Sequence, residues 1–200
     1  MVYVESGERR RQVIDAARVA LMREGVGRVS MRVVAAEAGI PLGTLQYVFP
    51  TKLGLLEAVI DDLVDEIARV LRASGSVESG LENSIREGVR TFWSRLVVEH
   101  ADLQLLQYEL VTHALRMPGL QELPRRQYDS YVDAVTSWFT AAADRSGETA
   151  ALEFSQLARL LVGGIDGLLL QSVVNPDNAR SERDLERVID MVVAVAGISA

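Results

Sequence analysis

Apolar residues recur every three or four positions along almost the whole chain, the spacing of an amphipathic helix, and no convincing two-residue alternation interrupts them. Val13, Ile14, Ala17 and Leu21 make the first stripe, which stops at Gly25. Ser30 is placed to cap a short helix from Met31 to Glu37, and the Ala38-Gly39 step turns the chain. Pro41 suits the first turn of a second short helix through Val48, which Pro50 ends. Thr51 then caps a long helix with the stripe Leu56, Val59, Ile60, Leu63, Ile67 and Leu71, and Ala73-Ser74-Gly75-Ser76 reads as a loop. Five longer helices are expected beyond it. They run from Val77 to Val98, from Ala101 to Met117, through Tyr128, Val132, Val135 and Phe139 to Asp144, from Glu148 to Val174, and from Ser181 to Ile198. The fold expected is all-α: an N-terminal three-helix helix-turn-helix head at 1–55 and a larger helical body at 56–200. The helix that starts at Thr51 belongs to both.

The chain has 200 residues, 48% apolar and 24% charged, and no cysteine. Disulfides, zinc-thiolate sites and thiol catalysis are therefore excluded. The longest apolar stretch, Leu160 to Leu170, is broken by Gly163, Gly164, Asp166 and Gly167, so no uninterrupted run reaches the roughly 18 residues of a membrane span. The first residues are charged where a signal peptide is apolar, and the cytoplasm is the default setting. Net charge is −7, which by itself argues against a nucleic-acid partner. Its distribution changes the picture: residues 1–55 hold eight basic and five acidic side chains, whereas the remainder carries a balance of −10. A basic head on an acidic body is the footprint of a DNA-binding segment, although +3 over 55 residues is also within ordinary fluctuation.

The segment SMRVVAAEAGIPLGTLQYVF, residues 30–49, reads as helix-turn-helix. Ala35 is small where two helices cross, Gly39 allows the positive φ of the turn, and Val34, Ile40 and Leu45 point inward. Leu42, Gly43, Thr44, Gln46 and Tyr47 then occupy the outer side of the second helix, which fits a major groove about 12 Å wide. A plain helical corner has the same local pattern. With its neighbours IDAARVALMREGV and GTLQYVFPTKLGLLEAVI, however, the stretch from Arg11 to Ile60 resembles the amino-terminal DNA-binding domain of the TetR family of bacterial repressors.

The resemblance implies contacts residue by residue. Ser30 and Arg32 match phosphate-contacting positions, Thr44 a backbone or base contact, Tyr47 an aromatic on the sugar-phosphate, and Lys52 a phosphate contact. The chain departs from the family pattern at Pro41, at Leu42 and at Gln46, which stands where tyrosine is usual. Gln46 can pair bidentately with adenine and Leu42 can meet a thymine methyl. Arg9, Arg10 and Arg11 suit either an arm reaching the DNA backbone or a solvated helix start.

The resemblance also implies a ligand-binding, dimerising body. The helix ending at Val174 is apolar nearly all round, and Gly163, Gly164 and Gly167 give it a flat strip. Composition alone favours a single-chain core there. Two recognition helices about 34–36 Å apart read a palindrome, which one short helix does poorly, so a homodimer is expected. Its interface is assigned to Leu160, Gly164, Ile165, Leu168, Val188, Val192 and Val195.

A small-molecule effector is expected in an apolar, aromatic pocket near Phe92, Trp93, Gln107, Leu110, His113, Tyr131 and Trp138. Aromatics at helical spacing are also what a plain core contains. Glu109 and His113 have metal-ligand spacing but no further ligand pair; with the lone His100 they carry no metal site, and no cofactor is expected. No paired Glu-x-x-His, no G-x-S-x-G and no phosphate loop points to an enzyme. The competing reading is a helical small-molecule-binding or adaptor protein without DNA binding, which leaves the register of residues 30–52 unexplained.

Overall fold

The computed structural model describes residues 6–75, 80–98 and 101–199. Nine α-helices are found among them: α1 Ser6–Glu24, α2 Met31–Glu37, α3 Leu42–Val48, α4 Lys52–Ser74, α5 Leu81–Trp93, α6 Ala101–Arg116, α7 Glu122–Ser146, α8 Phe154–Val174 and α9 Asn178–Ala196. A π-helical turn, Ser94–Val98, continues α5. The only pairing of strand type among the described residues is an isolated bridge between Thr149 and Ser199.

The chain forms two compact units, one of residues 1–65 with 105–126 and one of residues 66–104 with 127–200. The first holds α1, α2 and α3 packed on one another. Their core is Val13, Ala17, Leu21, Val34, Ala35, Leu45 and Phe49, all buried. Polar ties fix the angles between these helices. Arg18 meets Asp62 of α4 at 2.8 Å, Arg23 meets Glu37 at 2.6 Å, and the Gln12 amide donates to the Ala38 carbonyl at 2.9 Å.

In the second unit α8 packs along α9, and α9 along α5. Arg90 clasps Glu186 through two bonds of 2.6 and 2.7 Å, and Arg86 reaches Asp190 at 2.8 Å. These exposed pairs fix register more than they stabilise.

Several expected boundaries move. Glu148 does not begin α8: α7 runs on to Ser146, and Gly147, at φ 72°, takes the left-handed conformation that stops it. The Glu148 carboxylate then accepts from the Leu81 N–H at 2.6 Å and from the Ser146 hydroxyl at 2.5 Å, which hold it below its ordinary carboxyl range. Thr149 exchanges backbone bonds with Ser199, so helix resumes only at Phe154. The expected start of the fifth helix at Val77 lies outside the described residues, as does His100. Pro41 is the N-cap of α3 rather than a residue of its first turn.

Reading only unbroken apolar runs understated α8. Over an 18-residue window its mean hydropathy is 1.6, long and apolar enough to cross a membrane. Within the unit one side of it is buried, at Leu157, Ala158, Leu161, Ile165 and Leu169, and Asp166 accepts the Tyr128 hydroxyl at 2.9 Å.

Candidate nucleic-acid interface

Ser30 has extended backbone and its Oγ accepts the Val33 N–H at 3.4 Å, so a hydroxyl and the open amide end of α2 face outward together. Arg32, two residues on, is exposed. The turn closes through Gly39 N–H to Ala36 O at 3.1 Å and Ile40 N–H to Ala35 O at 3.0 Å. Gly39 sits at φ 65°, where a side chain would be strained. Val34 and Leu45 are buried and Ile40 is half-buried, so α3 is seated by its inner side as its pattern predicts.

The outer side of α3 carries Gly43 and Gln46, both exposed, and Tyr47, which at 90% exposure stands clear of the protein. Leu42 and Thr44 are half-buried at its flank. No carboxylate lies on α3, and that of Glu37 is turned to Arg23. An exposed aromatic and an amide on an acid-free helix can lie against a polyanion without repulsion.

Lys52 is half-buried, and its ammonium donates to the Val26 carbonyl at 3.4 Å. An ammonium has three donors, so two remain for an anion. On the other side of the same residue, the Val26 N–H donates to Glu109 of α6 at 3.1 Å. The loop before α2 is thus held from α4 and from α6 at one residue. Glu109→Ala is expected to lower the unfolding free energy by about 1 kcal/mol, the worth of one bond to a charged acceptor that is partly open to water. Urea denaturation reads this, and an unchanged midpoint would show the bond to be idle.

The three N-terminal arginines lie along helix α1. Arg9 bonds Gln12 at 2.7 Å, Arg10 stacks over the Phe49 ring at 4.5 Å, and Arg11 stands 3.9 Å from Asp62. They brace the head from its flank. Arg28, exposed in the loop before α2, is a cation that sequence reasoning did not single out.

Of the residues assigned to a ligand pocket, Phe92, Trp93, Tyr131 and Trp138 are buried in the second unit, while Gln107, Leu110 and the half-buried His113 belong to the first. Trp138 tilts against Phe139 with ring centroids 5.1 Å apart, and Tyr131 meets Tyr128 edge-on at 6.1 Å. The Gln127 amide donates to the Tyr131 hydroxyl at 3.2 Å. Burial pushes both tyrosine hydroxyls up from their ordinary range, with the Asp166 charge adding to the shift. The sequence pattern gives no sign of Gln104 or Gln127, polar groups that no apolar stripe marks, and shows Asp166 only as an interruption of an apolar run.

The residues assigned to a dimer interface divide. Leu160 and Val195 are exposed, and Gly164, Leu168 and Val188 are half-buried, with Gly164 lying against the Val188 side chain. Ile165 and Val192 are buried within the chain itself and do not reach that face. Leu170, Val174 and Met191 are exposed apolar side chains on the same two helices, and sequence reasoning missed them. Among the described residues no group of three potential metal ligands occurs.

Known proteins resemble the chain along its length. Residues 13–59 match the family described as "Bacterial regulatory proteins, tetR family", and residues 83–195 match "Tetracyclin repressor-like, C-terminal domain". The HTH-type nicotine-responsive transcriptional repressor HdnoR of Paenarthrobacter nicotinovorans is 27% identical over 98% of this chain and 99% of its own. The multidrug binding protein EbrR, solved with imidazole, superposes with a TM-score of 0.70 at 28% identity, over 96% of this chain and 92% of that one. A TetR-family regulator from Mesorhizobium loti, at 21% identity, shares the fold with a TM-score of 0.79 over 98% of this chain and all of its own. With a matched domain covering more than half of it and a helix-turn-helix of this geometry, the chain belongs to the TetR family and is a DNA-binding transcriptional regulator.

Proposed function

We propose that the protein is a homodimeric, ligand-responsive repressor in the bacterial cytoplasm that binds a palindromic operator and is released from it by a small-molecule effector. The observation that carries the DNA side of this reading is the outer face of α3, acid-free and crowned by Tyr47, beside the capped start of α2. Ser30, Arg32, Thr44, Tyr47 and Lys52 set the position on the phosphates, and Gln46 with Leu42 reads base edges. The exposed apolar side chains of α8 and α9 support a two-fold partner. The names of two similar proteins support the effector side, one being nicotine-responsive and the other a multidrug binding protein.

An effector acts through its difference in affinity for two conformations. Helix α4 begins in the head unit and ends in the body unit, so a ligand that favours a second body conformation changes where the recognition helices stand. Residues 1–55 are the DNA-binding part and 56–200 the effector-binding and dimerising part, with α6 lending Glu109 to the head.

Gel shifts with the DNA upstream of the protein's own gene test the reading. Arg32→Ala should weaken binding to every sequence and lower the slope of log K against log salt by about 0.9, one phosphate contact. Gln46→Ala should keep the slope and relax preference at one base pair, at a cost of about 1–3 kcal/mol on the preferred sequence. No specific shift by the wild-type protein would end the reading, and identical behaviour of the two variants would end this assignment of contacts.

A further inference from the structure

Gln104, on the first turn of α6, is 2% exposed, and neither its Nε2 nor its Oε1 has a hydrogen-bond partner among the described residues. The contrast within the same unit is Gln127, equally buried, whose amide is spent on the Tyr131 hydroxyl. A buried carboxamide with both ends idle forfeits all its hydration and gains nothing. Leucine would suit position 104 without that loss, since Leu103 and Leu106 beside it are buried too. The unpaired amide therefore points to a guest with polar atoms to match it.

The chemistry of that guest follows from what surrounds a carboxamide. Its N–H and its carbonyl lie side by side in one plane, so one group that offers an acceptor and a donor in the same order satisfies both. A lactam, a cis amide or the amide edge of a heteroaromatic ring does so. The unit's interior is rich in aromatic rings, with Phe92, Trp93, Tyr131 and Trp138 buried, and it also holds the buried Ser84, whose hydroxyl has no partner among the described residues. Besides the tyrosine hydroxyls, the buried polar side chains among the described residues are serines and glutamines, and Asp166 is a half-buried carboxylate beside Tyr128.

We infer that the effector is a flat, mainly apolar molecule whose lactam- or amide-type edge is received by the carboxamide of Gln104. This rests on the proposed effector-binding body, and it names the chemical class that body takes.

Quinolin-2(1H)-one and its N-methyl derivative test it on the whole chain, because methylation removes the donor while the ring and its carbonyl stay, and the Gln104 variants separate the lost donor from the added methyl. Binding is read by quenching of the two tryptophans, and operator binding by gel shift. The wild-type protein should bind the lactam at least about tenfold more tightly than the N-methyl compound, the worth of one lost hydrogen bond. Gln104→Leu, and the near-isosteric Gln104→Met, should erase that preference, leave affinity for the N-methyl compound within about twofold, and still shift operator DNA. Equal binding of the two compounds by the wild-type protein, binding of neither, or a preference that survives both substitutions would overturn the inference. The regulator reading fails separately, by loss of the specific gel shift in the wild-type protein.

Discussion

Leu170→Glu should leave a folded chain that no longer dimerises and binds its operator at least about a hundredfold more weakly. Leu170 is 46% exposed on α8, in line with Leu160 and Val174, and Met191 and Val195 carry the apolar surface onto α9. Apart from the backbone of α8 itself, nothing among the described residues lies within 4 Å of a Cβ built at Gly163 or Gly167, so the flat strip between these leucines is open to a second helix. In a two-fold contact each residue near the axis lies close to its own mate, so one substitution introduces two carboxylates into a surface that gains stability by leaving water. The side chain already meets solvent in the single chain, so fold stability should change by no more than about 0.5 kcal/mol. The operator is where the loss appears. Two half-sites bound together give the roughly thousandfold or greater preference over random DNA typical of specific regulators, and a monomer keeps only the weak half-site term. Sedimentation velocity reads the oligomeric state, circular dichroism the fold, and a gel shift the affinity. A variant that remains dimeric, or a monomer that binds as tightly as the wild-type protein, would refute the proposed interface.

How much of this was legible beforehand depended on whether the determining interactions are local. The head was readable because its signals lie within a few residues of their effects. Ser30 caps the helix it precedes, Gly39 supplies the turn's positive φ, and Val34 and Leu45 are inward by simple period. The start of α8 was not readable, because Glu148 is withdrawn from helix by a bond to Leu81, 67 positions away, and Thr149 by pairing with Ser199. The dimer stripe was half readable. A helix apolar on every side has no period to say which side is inward, so Ile165 and Val192 were assigned outward while Leu170, Val174 and Met191 went unnoticed. The unpaired state of Gln104 had no sequence signal, since a polar residue at the edge of an apolar stripe ordinarily reaches water. Arg9, Arg10 and Arg11 read equally well as an arm or as a helix start, and their partners Gln12, Phe49 and Asp62 bring them onto the flank of the head.

Gly88→Ala tests the packing of the body most severely. On helix propensity alone the change should stabilise, because alanine gains up to about 1 kcal/mol over glycine inside a helix such as α5. Packing opposes it. A Cβ at Gly88 would lie 2.2 Å from Cζ2 and 2.4 Å from Cη2 of Trp138, and 3.2 Å from the Ser74 carbonyl oxygen. Carbon atoms rest at about 3.5–4.0 Å, so the indole or the helix must move by more than an ångström. The indole has little freedom to do so: a Cβ at Gly75 would lie 2.6 Å from its Cδ1, and Phe139 leans on it with centroids 5.1 Å apart. Overpacking of a rigid buried ring costs about 1–3 kcal/mol and, with so short an approach, lies at or beyond the top of that range. The net expectation is a loss of about 2 kcal/mol, a fall in Tm of about 4–8 °C for a chain of this length. A shift in tryptophan emission should accompany it. Trp138→Phe in the same chain should recover part of that loss, since the added methyl then meets a smaller ring, and the two substitutions should couple rather than add. A Gly88→Ala protein that melts at or above the wild-type temperature would mean that the indole is not held against α5.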